Sequence, residues 1–160
     1  TTPGWPFRCR PPIMTFKSLF LLLLPLLGSF VSCGQPAPHI DYGKAECAHC
    51  RMNVVDQRFA AVLITKSGRQ YVFDGPAGMV PYVAKGAVAK DQVEAWYVSD
   101  HAHPGTLMDA NTAFFVHGPA FRSPMRGDVA AFATAAERDR ANTSGGEVMD
   151  WEHVKLLLQQ

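Results

Sequence analysis

Residues 46–52, with the sequence ECAHCRM, concentrate donor atoms that bind soft metal ions. The thiols of Cys47 and Cys50 are three positions apart, so a loop or the start of a helix can direct both at one ion, and the thioether of Met52 can close a third side. Thiolate and thioether sulfur favour Cu(I), with Zn(II) as the competitor that accepts thiolates. The segment therefore predicts a Cu(I) site. The alternative is a short-loop disulfide, with Met52 opening an apolar segment.

Histidines and further methionines add candidate ligands. Met125 follows Pro124 in a predicted loop, where a core methionine is not expected, so we interpret it as functional. Met108 precedes Asp109 and is expected to point into the core. Met79 lies in an apolar predicted helix, where methionine is by default a core residue.

The histidines have less specific contexts. His101 and His103 lie in the polar segment of residues 99–104, which could close over the metal, although such loop histidines are more often solvated. His49, between the two thiols, either binds the ion or faces solvent. His117, at the end of a predicted strand, is expected to be structural.

The chain before residue 33 is typical of an export signal. Residues 1–13 contain no methionine, Met14 opens a segment with one positive charge at Lys17, and an apolar run of residues 19–31 follows. This order matches the charged and apolar parts of a signal peptide, and the run is too short for a membrane span of about 20 residues. We predict that residues 14–32 form the signal and that residues 1–13 are a non-native extension. An uncleaved membrane anchor is the alternative.

The end of this run predicts lipidation. Phe30-Val31-Ser32-Cys33 resembles a bacterial lipobox, which places a small residue before the cysteine that receives the lipid. Several acyl chains on Cys33 would anchor the chain stably to a membrane. We therefore expect a lipidated N-terminus and tether over residues 33–45, and a domain of residues 46–160 in the cell envelope that faces the periplasm.

Cysteine use leaves two rival functions open. With Cys9 in the extension and Cys33 acylated, Cys47 and Cys50 remain as the free pair of the exported domain. One close pair is not a disulfide scaffold. The Cys47/Cys50 pair also suits a thiol–disulfide oxidoreductase, although the C-x-x-C motif of such enzymes usually lies at a strand-to-helix turn. A structural zinc module is the other alternative, with His101 and His103 as the remaining ligands.

Charge and motif content exclude several functions. The 15 basic and 14 acidic residues nearly balance, and no basic stripe is interleaved with aromatic residues, so nucleic acid is not expected as a partner. No Ser/His/Asp order, phosphate-binding glycine loop or catalytic carboxylate pair is present. We therefore predict a binding protein and not an enzyme.

Alternation and turn signals predict an α+β fold. Residues 58–65 and 69–73 should form a hairpin around Lys66-Ser67-Gly68, followed by a helix over residues 76–85 with Asp74 as its N-cap and Pro81 bending or dividing it, and then a strand over 93–99. The second half repeats this order. Its strands are expected at 113–117, within 121–131 and at 147–151, with helices at 134–141 and 153–160. Tandem β-β-α-β units in one small domain are the predicted architecture.

Several motifs occur in the order that is found in the NosL family, and together they cover residues 47–151. They are C-x-x-C-x-M at residues 47–52, Phe73-Asp74 followed by Met79, Met108-Asp109-Ala110, Ser123-Pro124-Met125, and Gly145-Gly146-Glu147-Val148. The chain resembles this family of copper-binding lipoproteins, which assist the maturation of nitrous oxide reductase. It departs from the family at Arg51 and Arg126, where the family pattern has glycine.

The resemblance implies a role and partners. It implies the tandem β-β-α-β fold, a Cu(I) cargo, and delivery to the copper centres of nitrous oxide reductase together with its maturation machinery. It also raises Met79 to a candidate ligand. The candidate metal ligands are then Cys50, Met52, Cys47, Met125, Met79, His101 and His103.

Overall fold

The computed structural model describes residues 37–159. The predicted extension, the signal peptide and Cys33 lie outside these residues, so the lipidation of Cys33 stays a prediction. Within the described part, no helix is long and apolar enough to cross a membrane.

The first half forms a four-stranded antiparallel sheet around a buried strand. Strand β1 (Ala61–Thr65) is buried along its whole length, as its unbroken apolar sequence predicts. It pairs with β2 (Gln70–Phe73) through the predicted hairpin and, on its other side, with β3 (Val93–Ser99). Helix α1 (Pro76–Ala84) lies between β2 and β3 in the chain, and β4 (Leu107–Asp109) extends the sheet to the order β2-β1-β3-β4.

The second half repeats this topology. Strand β5 (Phe114–His117) lies between β6 (Val129–Phe132) and β7 (Glu147–Met149), and both pairings are antiparallel. Helix α2 (Ala135–Ala141) connects β6 to β7, and α3 (Trp151–Leu158) ends the described chain. In each half the first strand is central and the strand after the helix pairs with it. The predicted tandem β-β-α-β architecture is confirmed, and β4 is an addition to it.

One core joins the two sheets. Buried apolar residues from both halves form a single cluster that includes Val62, Phe73, Phe115, Val129 and Trp151. The Trp151 ring stacks on Phe115 of β5, with centroids 5.5 Å apart, and meets Trp96 of β3 edge to face at 5.6 Å. A parallel bridge between Asp100 and Ala131 links the ends of β3 and β6. The two units therefore form one folded domain.

Two strands begin later than the start of the range predicted for them, because local side chains close turns before them. The strand predicted to start at residue 58 begins at Ala61, since the Asp56 carboxylate accepts hydrogen bonds from the backbone N–H and the guanidinium of Arg58. The strand predicted within residues 121–131 starts at Val129. Before it, the Ser123 hydroxyl accepts the N–H groups of Gly127 and Asp128, both at 3.1 Å.

The start and the interior of α1 also differ from prediction. Asp74 was predicted as the N-cap, but Gly75 occupies that position and no side chain caps the helix. The Asp74 carboxylate instead accepts a hydrogen bond from Cys50. Pro81 does not divide α1. A proline at that position removes one helical hydrogen bond, and the buried residues Met79, Val80 and Val83 hold the helix against the core.

Candidate metal centre

The loop that carries the two cysteines is closed by its own backbone. The Cys47 N–H donates to the carbonyl of Met52 at 2.8 Å, and the Arg51 N–H donates to the carbonyl of Cys47 at 2.9 Å. The Ala48 N–H donates to the carbonyl of Val72 in β2 at 2.8 Å. These bonds fix the loop against the edge strand of the first sheet and hold both thiols within one turn.

The two thiols meet a buried carboxylate. Cys47 is fully buried and Cys50 is half-buried, and both are free. The Cys50 thiol donates to Asp74 Oδ2 at 3.2 Å, and its backbone N–H donates to the sulfur of Cys47 at 3.4 Å. One ligand atom from each of Cys47, Cys50 and Asp74 lies within 4.8 Å of the others. This geometry allows all three to approach one metal ion.

Burial affects the protonation of Cys50, the less buried of the two cysteines. Desolvation is the main cause that raises the pKa of the Cys50 thiol to about 12; a backbone hydrogen bond from Met52 opposes it, and the hydrogen bonds with Cys47 and Asp74 add to it. Without a metal ion the thiol therefore keeps its proton at neutral pH. A cation that binds there must replace that proton, as is general for thiolate ligands.

Asp74 is the site residue that sequence reasoning placed in another role. It follows the end of β2, and only 4% of its surface is exposed. A buried carboxylate needs a compensating partner, and the hydrogen bond from Cys50 is one such contact. Its position in the Phe73-Asp74 motif was the available signal, since a carboxylate at a strand end often belongs to a site and not to a helix cap.

Two candidate methionines remain outside the core. Met52 is 56% exposed, and neither it nor Met125 packs on the buried clusters. The loop of residues 123–128, which carries Met125, passes against α1, because a Cβ on Gly127 would lie 2.5 Å from the Cβ of Ala77. Ala77 is in the first turn of the helix that follows Asp74. Met52 is thus on the loop that carries the two thiols, and Met125 is on a loop that contacts the first turn of α1.

The other two methionines considered as ligands, Met79 and Met108, pack in or against the core. Met79 is fully buried in the main apolar cluster, and Met108 in β4 packs against the same cluster. The core position predicted for Met108 is confirmed. The structure places Met79 as a core residue of α1, and its role as a ligand stays a prediction.

His101 is enclosed by aromatic rings. Its ring lies 5.2 Å from that of Phe59, 5.6 Å from Phe121 and 5.4 Å from Phe132, measured between centroids. Burial lowers the pKa of this histidine, and the positive charge of Arg58 lowers it further. The structure therefore places His101 in a packing role and does not bring it to the thiols.

His103 also lies in a group of its own. Its Nδ1 donates to Asp100 Oδ2 at 2.7 Å and lies 3.9 Å from Glu137 Oε1. The hydrogen bond with Asp100 raises the pKa of His103. His49, by contrast, is close to α1, since its Cβ lies 3.6 Å from the position of a Cβ on Gly78. His49 is itself part of the thiol loop, and this contact places it against α1.

Backbone strain is concentrated in the two loops that carry candidate ligands. Arg51 has φ of +66°, Arg126 has +54° and Asp128 has +46°, and these are the non-glycine residues with positive φ in the described chain. Arg51 also forms an ion pair of 2.9 Å with Glu46. The first two are the positions where the chain departs from the glycine of the family pattern.

Comparisons with known proteins agree with this fold. The model of the NosL family matches residues 39–157. The chain is similar to the crystal structure of the copper chaperone NosL from Shewanella denitrificans, with a TM-score of 0.63 and 20% identity over 74% of this chain and 95% of that chain. At this identity the structural likeness shows the fold alone. No curated relative matches the chain significantly.

Proposed function

The chain belongs to the NosL family, and we propose that it binds Cu(I) and delivers it for assembly of the copper centres of nitrous oxide reductase. The observation that carries the proposal is the convergence of Cys47, Cys50 and Asp74 within 4.8 Å, beside the exposed thioether of Met52. The similar solved protein is a copper chaperone, which supports the same conclusion.

The donor set suits Cu(I) better than harder ions. Two thiolates provide the soft ligands that Cu(I) prefers, and thioether sulfur from Met52 or Met125 would complete a sulfur-rich site. Asp74 positions the Cys50 sulfur through their 3.2 Å contact and is a further donor within reach. We propose Cys47 and Cys50 as the primary ligands and the two methionines as the adjustable ones.

Exposure suggests how the ion leaves. Cys47 is fully buried, whereas Met52 is largely exposed. A ligand of an acceptor protein can therefore approach from the Met52 side and replace the thioether first, and the thiolates later. Stepwise exchange of this kind moves the ion without releasing it into water and needs no catalytic step.

The oxidoreductase alternative fits the geometry poorly. Reactive C-x-x-C pairs usually have a thiol with lowered pKa at a helix N-terminus. Here Cys47 and Cys50 lie in a loop before β1, Cys47 is buried, and burial raises the pKa of Cys50. Within the described residues, neither His101 nor His103 belongs to the group of ligand atoms around the thiols, so a zinc module would lack the two further ligands expected for it.

Anaerobic titration with Cu(I), read by metal analysis and X-ray absorption, tests the proposal. We expect one tightly bound Cu(I) per chain with sulfur scattering in its coordination shell. The Cys47→Ser/Cys50→Ser variant should lose this binding, and excess Zn(II) should not displace the copper. Coordination by nitrogen and oxygen alone, or preference for Zn(II), would contradict the proposal.

The acceptor and the location are part of the same proposal. We infer from the family that the acceptor is nitrous oxide reductase with its maturation machinery, and from residues 14–33 that a lipid on Cys33 holds the domain at the periplasmic side of a membrane. Deletion of the gene should yield a reductase depleted in copper. A fully metallated reductase in the deletion strain would separate copper binding from this acceptor.

A further inference from the structure

A second group of ligand atoms lies where the two halves of the domain meet. Asp100 directly follows β3, His103 lies in the next turn, and Glu137 is in the first turn of α2. One ligand atom from each lies within 4.8 Å of the others. None of the three contributes to the thiol group.

The buried member of this group requires positive charge. Only 2% of the surface of Asp100 is exposed. Its Oδ1 accepts the N–H of Ala102 at 2.9 Å, and its Oδ2 faces His103 Nδ1 at 2.7 Å. Ionised carboxylates are rarely buried unless they are paired with a cation or bind a metal ion. His103 compensates the charge of Asp100 only weakly, because it is exposed and solvent competes for its ring.

The carboxylate of Glu137 lies near the same imidazole of His103. Glu137 Oε2 accepts the hydroxyl of Thr134 at 2.8 Å, which fixes the side chain across the start of α2. Its Oε1 lies 3.9 Å from His103 Nδ1. Two carboxylates thus face one imidazole, so these three side chains together carry a net negative charge even when His103 is protonated.

We propose that Asp100, His103 and Glu137 form a second metal site, which binds a divalent first-row cation such as Zn²⁺ through one imidazole nitrogen and two carboxylate oxygens. These donors suit borderline divalent ions, and the absence of sulfur makes them poor ligands for Cu(I). The site is therefore distinct from the proposed copper cargo site in both chemistry and position.

The required rearrangement is small. Metal–nitrogen and metal–oxygen bonds of about 2.0–2.2 Å in a tetrahedral site place ligand atoms about 3.4 Å apart. The Nδ1–Oε1 distance must shorten from 3.9 Å, and the Nδ1–Oδ2 distance must lengthen from 2.7 Å as the ion replaces the proton between them. The side chain of His103 is 62% exposed, so its ring has room to move as the ion binds.

One neighbouring charge opposes the cation. Arg140 lines the same surface cavity as His103 and Glu137, a cavity of about 440 Å³. Its guanidinium disfavours a nearby metal ion by like-charge repulsion. Replacement of Arg140 by glutamine should therefore tighten cation binding, whereas loss of a ligand should weaken it.

Zinc titration of a thiol-free protein tests the site. In the full chain with all four cysteines replaced by alanine (Cys9, Cys33, Cys47 and Cys50), calorimetric titration should show one saturable Zn²⁺ site whose occupation raises the melting temperature, because the ion ties the two halves together. On this background, His103→Ala and Glu137→Gln should each weaken Zn²⁺ binding at least tenfold, and Arg140→Gln should strengthen it.

The chain offers a matched control. His153 donates from Nδ1 to Asp150 Oδ1 at 2.8 Å with the same spacing of three residues, but this pair belongs to no group of three ligands within the described residues. His153→Ala should leave Zn²⁺ binding unchanged. Melting curves without zinc show whether the ligand variants remain folded. Equal Zn²⁺ affinity in all folded variants, or no saturable binding in the background protein, would overturn the proposal.

Discussion

Replacement of Met52 by leucine separates the role of its sulfur from the role of its volume. Leucine has nearly the same size and hydrophobicity as methionine but has no metal-binding sulfur. Met52 is 56% exposed and packs on neither buried cluster. We therefore expect Met52→Leu to weaken Cu(I) binding while the free energy of unfolding stays nearly constant.

The expected changes in stability and in Cu(I) affinity follow from the exposure of Met52 and from the loss of one ligand. A substitution at an exposed position away from caps and special backbone geometry usually changes the free energy of unfolding by less than about 0.5 kcal/mol. Loss of one ligand should lower the Cu(I) affinity at least tenfold, which corresponds to about 1.4 kcal/mol of binding free energy. Met125→Leu should behave in the same way, since that side chain is also outside the core.

Met108→Leu is the matched control, because Met108 packs against the main core cluster. A volume-conserving core swap costs less than about 1.5 kcal/mol of stability, and we expect unchanged Cu(I) affinity.

The assay is an anaerobic competition titration against a Cu(I) chelator, with thermal melting of each apoprotein. If Met52→Leu and Met125→Leu bind Cu(I) as tightly as Met108→Leu, methionine sulfur has no part in the site and the copper ligands are the thiols alone.

Four further predictions concern processing, redox state, strain and pH. Cys33→Ala should abolish acylation and leave precursor or released protein, and unchanged membrane attachment in cell fractionation would support an uncleaved anchor. Air-oxidised apoprotein should contain a Cys47–Cys50 disulfide and load Cu(I) only after reduction, so equal loading of thiol-blocked protein would exclude the cysteines as ligands. Arg51→Gly should raise the free energy of unfolding by about 0–1.5 kcal/mol, measured in urea, because relief of about 1–2 kcal/mol of left-handed strain balances or exceeds the roughly 0.5–1 kcal/mol that glycine costs in chain entropy. A loss of several kcal/mol would contradict this. The pKa of His101 is lowered by burial and further by Arg58, so the folded protein favours the neutral ring. The stabilising effect of the neutral ring is therefore complete above the unfolded pKa of about 6.5 and is lost as the pH falls towards the folded pKa. His101→Phe should flatten that part of the plot of stability against pH, and an unchanged slope would refute the burial of a neutral ring.

Local patterns were sufficient for most of the fold. The alternating and apolar runs predicted β3 with the bounds Val93–Ser99 that the structure shows, and the turn at Lys66-Ser67-Gly68 predicted the β1–β2 hairpin. In these elements the residues that determine the structure are neighbours in the chain. The proximity of Cys47 and Cys50 could be predicted for the same reason.

Tertiary placement limited the rest of the prediction. Asp74 is 24 residues from Cys50, and it reaches the thiol only because the Ala48 N–H bonds to Val72 and sets the loop beside the end of β2. The environment of His101 depends on rings from three separate segments. No spacing within one segment carries that information, so the sequence predicted a cap for Asp74 and left His101 open between a metal ligand and a solvated loop residue.

The distribution of backbone strain adds an independent reason to assign the site to these two loops. Arg51 lies between Cys50 and Met52, whereas Arg126 and Asp128 follow Met125, and all three adopt positive φ. Non-glycine residues in this region cost free energy, and such strain persists at functional sites where the surrounding structure imposes it. In this chain the Arg51 N–H bonds to the carbonyl of Cys47 and the Arg126 N–H bonds to that of Ser123, so each turn is held although glycine is absent. Because the strained turns occur beside the candidate sulfur ligands, we expect the proposed site to depend on the geometry of the loops and not on the presence of glycine in them.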